Sequence, residues 1–207
     1  MLVIEPRYAP GGKSWVSGTV EGPGRWGLPE GEFEHRSAMV TKSEVRALVL
    51  SRLGPGPGDL VWDVGAGSGS VAVECARLGA AAIAVERDGE SCGFVRRNAA
   101  RHGVSVEVVE GEAPGALENL PMPDAVFIGG TGDGFEEIVR LCAGRALRAV
   151  VLTLVTLERV VPAVKMLEEA GLEVETMFLQ ASRMKGVGGL NRLAPENPVF
   201  IVSGRRP

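Results

Sequence analysis

The sequence predicts an α/β fold: a seven-stranded, mostly parallel sheet with helices on both faces and an antiparallel hairpin at one edge. Three observations carry that expectation. Apolar strand-like runs alternate with helix-length segments through most of the chain, the pattern of right-handed crossovers on a sheet buried on both sides. The run Val61-Trp62-Asp63-Val64 leads straight into Gly65-Ala66-Gly67-Ser68-Gly69-Ser70, a strand-to-helix turn with glycine at every second position. Two closing apolar runs with no helix between them read as an antiparallel pair.

Each element has its own signal. Thr41-Lys42-Ser43-Glu44 reads as a capping box, and the helix it opens carries Val45, Leu48, Val49 and Leu50 to about Leu53, where Gly54-Pro55-Gly56-Pro57-Gly58 stops it. Strand one is Leu60–Val64, followed by a helix over Ser70–Leu78; strand two is Ala81–Val85, followed by a helix from Gly89 to His102 that Gly103 ends. Val104–Val109 is strand three, with a short helix over Pro114–Leu120. Ala125–Ile128 is strand four, with a helix from Phe135 to about Cys142; Ala149–Leu154 is strand five, with a helix over Leu157–Ala170 stopped by Gly171. Glu173–Ala181 and Pro198–Ser203 are strands six and seven. Ahead of all this, residues 1–30 read as an arm or linker: Met1–Glu5 is strand-like, and Pro10-Gly11-Gly12 and Gly22-Pro23-Gly24 break any regular element. Residues 31–207 form the domain.

Composition bounds the function. An apolar share of 45% and a charged share of 23% are ordinary for a globular protein, and no apolar run has the length of a membrane span. A net charge of −4 and few aromatics argue against a general nucleic-acid binder. Cys75, Cys92 and Cys142 are odd in number and far apart, which points to a reducing, cytoplasmic setting and, for Cys75 and Cys92, to buried packing on helices. No metal-ligand spacing occurs, and no metal is expected.

The chemistry converges on the carboxyl ends of the strands, where open α/β sheets bind ligands. Glycines let backbone N–H groups approach a ligand without an intervening Cβ. Glu86 ends strand two, twenty-one residues beyond Gly65, where a carboxylate can hold both hydroxyls of a ribose. The G-x-G-x-G spacing departs from the dinucleotide G-x-G-x-x-G and favours S-adenosylmethionine (SAM), which has no pyrophosphate to cradle. The fold expected is therefore the Rossmann-like one of class I SAM-dependent methyltransferases. Asp63 reads as a residue fixing the glycine turn, with a further part in placing the methionine end. Gly111-Glu112-Ala113 after strand three and Gly129-Gly130 after strand four fall on the same face.

These residues match a known family. The chain resembles the decarboxylating precorrin methyltransferases of cobalamin biosynthesis over about residues 27–203. The resemblance rests on Gly27-Leu28-Pro29, Phe33-Glu34-His35, Thr41-Lys42-Ser43-Glu44-Val45-Arg46, the glycine turn, Ala84-Val85-Glu86-Arg87-Asp88, Arg97-Asn98-Ala99, Glu110-Gly111-Glu112-Ala113-Pro114, Pro123-Asp124-Ala125-Val126-Phe127-Ile128-Gly129-Gly130 and Val155-Thr156-Leu157-Glu158. It implies SAM-dependent methylation of C-15 of a tetrapyrrole with loss of carbon dioxide from the C-12 acetate. By the same resemblance, Thr41 closes over the cofactor and Gly65, Gly67 and Gly69 line its methionine portion. Glu86 holds the ribose, Glu112 and Ala113 border the adenine, Gly129 and Gly130 lie where the methyl should point, and Ala66, Ser68 and Arg87 join the cofactor-binding residues. The family's P-G-G turn after the fourth helix is replaced by Ala143-Gly144-Arg145-Ala146-Leu147. Family membership also implies a homotetramer. Met1–Glu5 resembles the last strand of a partner methyltransferase domain, implying that the chain is the C-terminal piece of a fused enzyme.

A meso carbon of enamine character is already nucleophilic, so alignment supplies most of the catalysis, and the protein must chiefly bind and desolvate carboxylates. Arg183, Lys185 and Arg192, in a glycine-rich acid-free stretch between strands six and seven, are the candidates for substrate binding and catalysis, joined by Arg36 and, in second rank, Arg25 and Lys42. His35 is a further catalytic candidate. His102 reads as a helix C-terminal residue, Trp62 as core, and Glu136-Glu137 as a helix N-terminal pair. Two other readings stand beside the leading one: an RNA or protein methyltransferase on the same fold, and a silent SAM-binding scaffold.

Overall fold

The computed structural model describes residues 26–36 and 40–207; Arg25 and the expected strand at Met1–Glu5 lie outside the described residues. A 3-10 turn at Glu30–Glu32 precedes α1 (Ser43–Leu53). Next come β1 (Leu60–Val64), α2 (Ser70–Arg77), β2 (Ala81–Glu86), α3 (Gly89–Arg101), β3 (Glu107–Glu110), β4 (Ala125–Ile128), α4 (Phe135–Arg145), β5 (Ala149–Leu154), α5 (Leu157–Glu169) and β6 (Glu173–Leu179). A hairpin of β7 (Ser182–Val187) and β8 (Leu190–Pro195) leads to β9 (Val199–Arg205).

Among the described residues seven strands form one sheet in the order β3-β2-β1-β4-β5-β9-β6. The first five run parallel, and β9 is antiparallel to both β5 and β6. Strand residues alternate between faces. Trp62, Val64, Val126, Ile128, Val150 and Leu152 pack with α4 and α5, while Val61, Phe127 and Val151 pack with α1 and α2. Burying each such side chain contributes roughly 1.5–3 kcal/mol. Ala82 and Ala84 leave room for Ala72 of α2 and Val95 of α3. Cys75, Cys92 and Cys142 are all buried free thiols. Among the described residues no helix is long and apolar enough to cross a membrane.

Four local expectations change. Pro114–Leu120 is only a 3-10 turn at Gly115–Leu117, too short a run between a proline and the next turn to propagate a helix. Strand three begins at Glu107, because the Val104 amide is taken by the Ala99 carbonyl in closing α3. The capping box does not form: α1 starts at Ser43 with no side-chain cap from Lys42, and the Ser43 amide donates instead to Glu30 Oε1 at 3.1 Å. The stretch expected as a loop at Arg183–Arg192 is the β7–β8 hairpin, turning at Gly188 and Gly189 with φ of 55° and 81°. Two successive positive φ values are what a tight hairpin turn of matching twist requires.

Candidate active site

A cleft of about 630 Å³ opens at the carboxyl ends of the parallel strands. One wall carries Gly65–Ser68 after β1, Glu86 and Arg87 after β2, Gly111–Ala113 after β3 and Gly129–Gly132 after β4. The opposite wall carries Val40–Lys42 and Val45 of the α1 entry, with Pro195–Val199 between β8 and β9. Thr41, Gly65, Ala66, Gly67, Ser68, Glu86, Arg87, Glu112, Ala113, Gly129 and Gly130 thus all line one cavity.

The glycine turn is tightly determined. The Gly65 and Ala66 amides donate to the Val85 carbonyl at 2.9 and 3.2 Å, tying the turn to β2. Gly65 has φ 70°, and a Cβ there would sit 2.3 Å from the Gly130 carbonyl oxygen, so the β1 and β4 loops touch backbone to backbone. Gly69 does not reach the cavity; it is glycine because a Cβ would lie 2.7 Å from Val95 of α3.

Glu86 is held by the turn it faces. Its Oε2 accepts from the Gly67 amide at 2.9 Å and its Oε1 from the Asp88 amide at 3.0 Å. Each oxygen keeps capacity for a further donor. Arg87 and Glu112 pair at 2.9 Å across the outer mouth, both well exposed.

Asp63 does not line the cavity and does not bond the glycine turn. Fully buried behind it, Asp63 accepts from the Ala72 amide of α2 at 2.9 Å, while its Oδ1 has no partner among the described residues. Burial pushes its carboxyl up to about 7; the Ala72 bond opposes this and the Glu86 charge adds to it.

Three buried polar side chains hold the α1 entry in place: Arg46 and Asn98, both in stretches that carry the family resemblance, and Glu74, to which the sequence drew no attention. Arg46 and Glu74, both wholly buried, form an ion pair between α1 and α2. The Arg46 guanidinium also donates to the carbonyls of Thr41 and Leu28, and stacks 4.6 Å above Phe33. Glu74 accepts from the Gly27 and Leu28 amides at 2.7 and 3.0 Å. Asn98 of α3 donates to the Ser68 and Glu34 carbonyls and accepts from the Glu34 amide, so one amide group joins the glycine turn to the segment before α1. A charged residue inside the apolar run Val71-Ala72-Val73-Glu74-Cys75 was the signal available in the sequence.

The residues expected to bind substrate lie elsewhere. Arg183 on β7 is engaged by Glu30 at 2.7 Å and Glu44 at 2.7 Å. Its guanidinium lowers the Glu30 carboxyl to about 2 and also lowers Glu44. Lys185 and Arg192 face each other across the exposed hairpin, and Arg36 pairs with Asp88 and Glu90. His35 is half-buried with Nδ1 unpartnered; neither it nor these basic residues line the cleft. Lys42 does line it, 3.8 Å from Glu196 on the same wall. His102 caps α3, but its Nε2 meets the Glu32 carbonyl at 3.0 Å and its ring lies against Phe33. At the departure after α4, Arg145 donates to the carbonyls of Leu117, Glu118 and Leu120 and stacks on the buried Trp62.

Comparison with known proteins places this geometry. Residues 31–206 match the family described as the precorrin methyltransferase domain. A Sinorhizobium protein named precorrin-6Y C(5,15)-methyltransferase [decarboxylating] is 40% identical over 84% of this chain, which spans 42% of that protein's length. A Pyrobaculum calidifontis protein named probable cobalt-precorrin-6B C(15)-methyltransferase (decarboxylating) is 35% identical, covering 86% of this chain and 94% of its own length. The crystal structure of a Geobacter metallireducens precorrin-6y C5,15-methyltransferase superposes with a TM-score of 0.82 at 36% identity, over 87% of this chain and 97% of that one. The chain belongs to the precorrin methyltransferase domain family.

Proposed function

We propose that the protein is a SAM-dependent methyltransferase that methylates C-15 of a precorrin and removes carbon dioxide from the acetate at C-12. The observation that carries the cofactor half is Glu86: its carboxylate is fixed by the Gly67 and Asp88 amides in the same cleft as a glycine turn too close to Gly130 to admit a Cβ. The names of the relatives, one a C(5,15)- and the other a C(15)-methyltransferase and both decarboxylating, support the acceptor and the reaction.

When bound, SAM supplies a methyl group already activated by its sulfonium. The chain's part is binding and alignment. Gly65, Ala66, Gly67 and Ser68 give it a close backbone surface, Glu86 accepts from its ribose hydroxyls, and Glu112 and Ala113 border its base. Gly129 and Gly130 leave the strand-four side of the cleft unobstructed, and Thr41 stands on the facing wall. Holding donor and acceptor in line converts an encounter into an intramolecular step, which suits a carbon that is nucleophilic without a dedicated base. Desolvating the acetate carboxylate inside the cleft also favours loss of carbon dioxide, with the electron pair of the broken C–C bond passing into the conjugated imines of the macrocycle.

The setting proposed is cytoplasmic, in keeping with three buried free thiols. The assembly proposed is a homotetramer, supported by the exposed Met184, Val187, Leu190 and Leu193 of the β7–β8 hairpin. Calorimetric titration with S-adenosylhomocysteine, followed by addition of precorrin-6B and mass analysis, tests the reading. Micromolar cofactor binding and a product heavier by one methyl and lighter by carbon dioxide are expected. A chain that binds no S-adenosylhomocysteine overturns it.

A further inference from the structure

The charges around the cleft are unequally matched. Among the described residues the cations that line it, Lys42 and Arg87, are both answered by carboxylates, Lys42 by Glu196 at 3.8 Å and Arg87 by Glu112 at 2.9 Å. Arg159, in the first turn of α5, is different. Its guanidinium donates to the Thr131 hydroxyl at 3.1 Å and the Gly132 carbonyl at 3.0 Å, both on residues that line the cleft, and sits 5.1 Å above the Phe135 ring. These partners are all neutral, and among the described residues no carboxylate lies within ion-pair distance of it. A guanidinium has more N–H donors than the two engaged here, so it is oriented but not neutralised.

An apolar surface adjoins that charge. Val155, which lines the cleft, is 76% exposed, and Leu157 and Val161 are 63% and 70% exposed. Leu157 and Val161 are four residues apart and share one side of α5, while Val160, Ala163, Met166 and Leu167 cover its core side. The helix thus has a second apolar stripe that the fold leaves in water, running from the cleft mouth beside an unpaired cation.

Resting on the proposed function, we infer that this rim is the acceptor platform: Val155, Leu157 and Val161 lie against the flat face of a polycarboxylated tetrapyrrole, and Arg159 binds one of its peripheral carboxylates. A flat apolar ring with an anionic edge matches an apolar stripe ending in an oriented guanidinium. The placement differs from that expected of Arg183 and Arg36, whose charges are already met by Glu30, Glu44, Asp88 and Glu90.

The test uses the full chain, uroporphyrin I as a stable octacarboxylate probe followed by fluorescence quenching, and S-adenosylhomocysteine calorimetry in parallel. Arg159→Gln is expected to weaken uroporphyrin at least about tenfold and flatten the salt dependence of its binding, with S-adenosylhomocysteine affinity within about twofold of the parent. Arg159→Lys should keep most of the salt dependence while losing part of the affinity. Leu157→Ser with Val161→Ser should weaken the probe several-fold with its salt dependence intact. Unchanged uroporphyrin affinity in Arg159→Gln overturns the inference, as does a parallel fall in S-adenosylhomocysteine affinity, which would make Arg159 a support for the Thr131–Gly132 turn. A change of association state in the double variant with unaltered probe binding overturns it in favour of a second copy of the chain. A parent that binds S-adenosylhomocysteine but not uroporphyrin overturns the platform alone, and one that binds neither overturns the reading beneath it.

Discussion

Arg46 and Glu74 form an ion pair with both side chains wholly buried, and each also bonds backbone groups ahead of α1: Arg46 the carbonyls of Leu28 and Thr41, Glu74 the amides of Gly27 and Leu28. The pair therefore joins α1, α2 and the chain ahead of α1, and through the Thr41 carbonyl it reaches a residue that lines the cleft. Removing one partner leaves an uncompensated buried charge, which costs roughly 3–5 kcal/mol. Glu74→Gln is expected to lower stability by that amount in urea unfolding. Arg46→Met with Glu74→Met should lose much less. A Glu74→Gln chain that unfolds at the parent's urea midpoint would remove the pair from its organising role.

Gly65 and Gly130 should respond very differently to alanine. A Cβ on Gly65 meets the Gly130 backbone at 2.3 Å with φ at 70°, whereas a Cβ on Gly130 has its nearest neighbour at 4.0 Å. Gly65→Ala is expected to abolish detectable S-adenosylhomocysteine binding and to destabilise by about 2 kcal/mol or more from strain at a positive φ. Gly130→Ala should keep near-parent stability. Equal melting temperatures for the two variants would contradict the close backbone approach.

Glu86→Gln retains size but removes the charge that suits two donors at once. Loss of a charge-assisted bond is worth about 1.5–3 kcal/mol, so S-adenosylhomocysteine affinity should fall on the order of ten- to a hundredfold. Calorimetry at fixed salt reads this directly. Parent-like affinity would take the ribose away from Glu86.

Asp63 makes a pH prediction. Its folded carboxyl titrates near 7 against 3.8 unfolded, so between those values the native state holds a proton that the unfolded chain has released. Stability from this group is therefore full below about pH 4 and declines as pH rises to about 7, by up to about 4 kcal/mol. Asp63→Asn lacks that decline. Urea unfolding at about pH 4.5 and about pH 8 should show the variant gaining on the parent at the higher pH; a constant difference would count against a protonated Asp63.

Arg183→Ala should act on the hairpin and not on the cofactor. Its bonds to Glu30 and Glu44 join β7 to the α1 entry, and at one-third side-chain exposure solvent screening limits their worth to about 1 kcal/mol. Faster proteolysis within residues 182–195 with S-adenosylhomocysteine affinity intact is the expected pattern. Since the Glu30 carboxyl is depressed to about 2 in the folded chain, this contribution is present above about pH 4.5 and fades as pH falls toward 2. A cofactor affinity that fell with Arg183 would bring the hairpin into the site.

The alternating strands and helices were legible because β1, β2, β4 and β5 are buried on both faces, while β3 at the sheet edge, with both glutamates exposed, was misjudged in length. Gly65, Glu86 and Gly129 were legible as neighbours because the carboxyl ends of a parallel sheet must share one face. The hairpin was not: β7 and β8 leave both faces largely in water, so no period-two burial pattern marks them, and only Gly188-Gly189 betrays the turn. The capping box failed for a tertiary reason, since Glu44 answers Arg183 and Ser43 answers Glu30. Basic residues were read as free charges, yet whether a cation is unpaired depends on acids distant in sequence, as Arg183 and Arg159 show from opposite sides.

The position of β9 bears on how the chain is synthesised. Ala149 of β5 pairs with Arg205 of β9, so the β5 edge stays open while about 50 further residues are made. On the ribosome, the first five strands can assemble while that edge remains bare to other nascent chains, a template for misjoined aggregates. Translation that stalls before residue 199 would leave a sheet ready to recruit its neighbours, and swift delivery of β9 is what closes it.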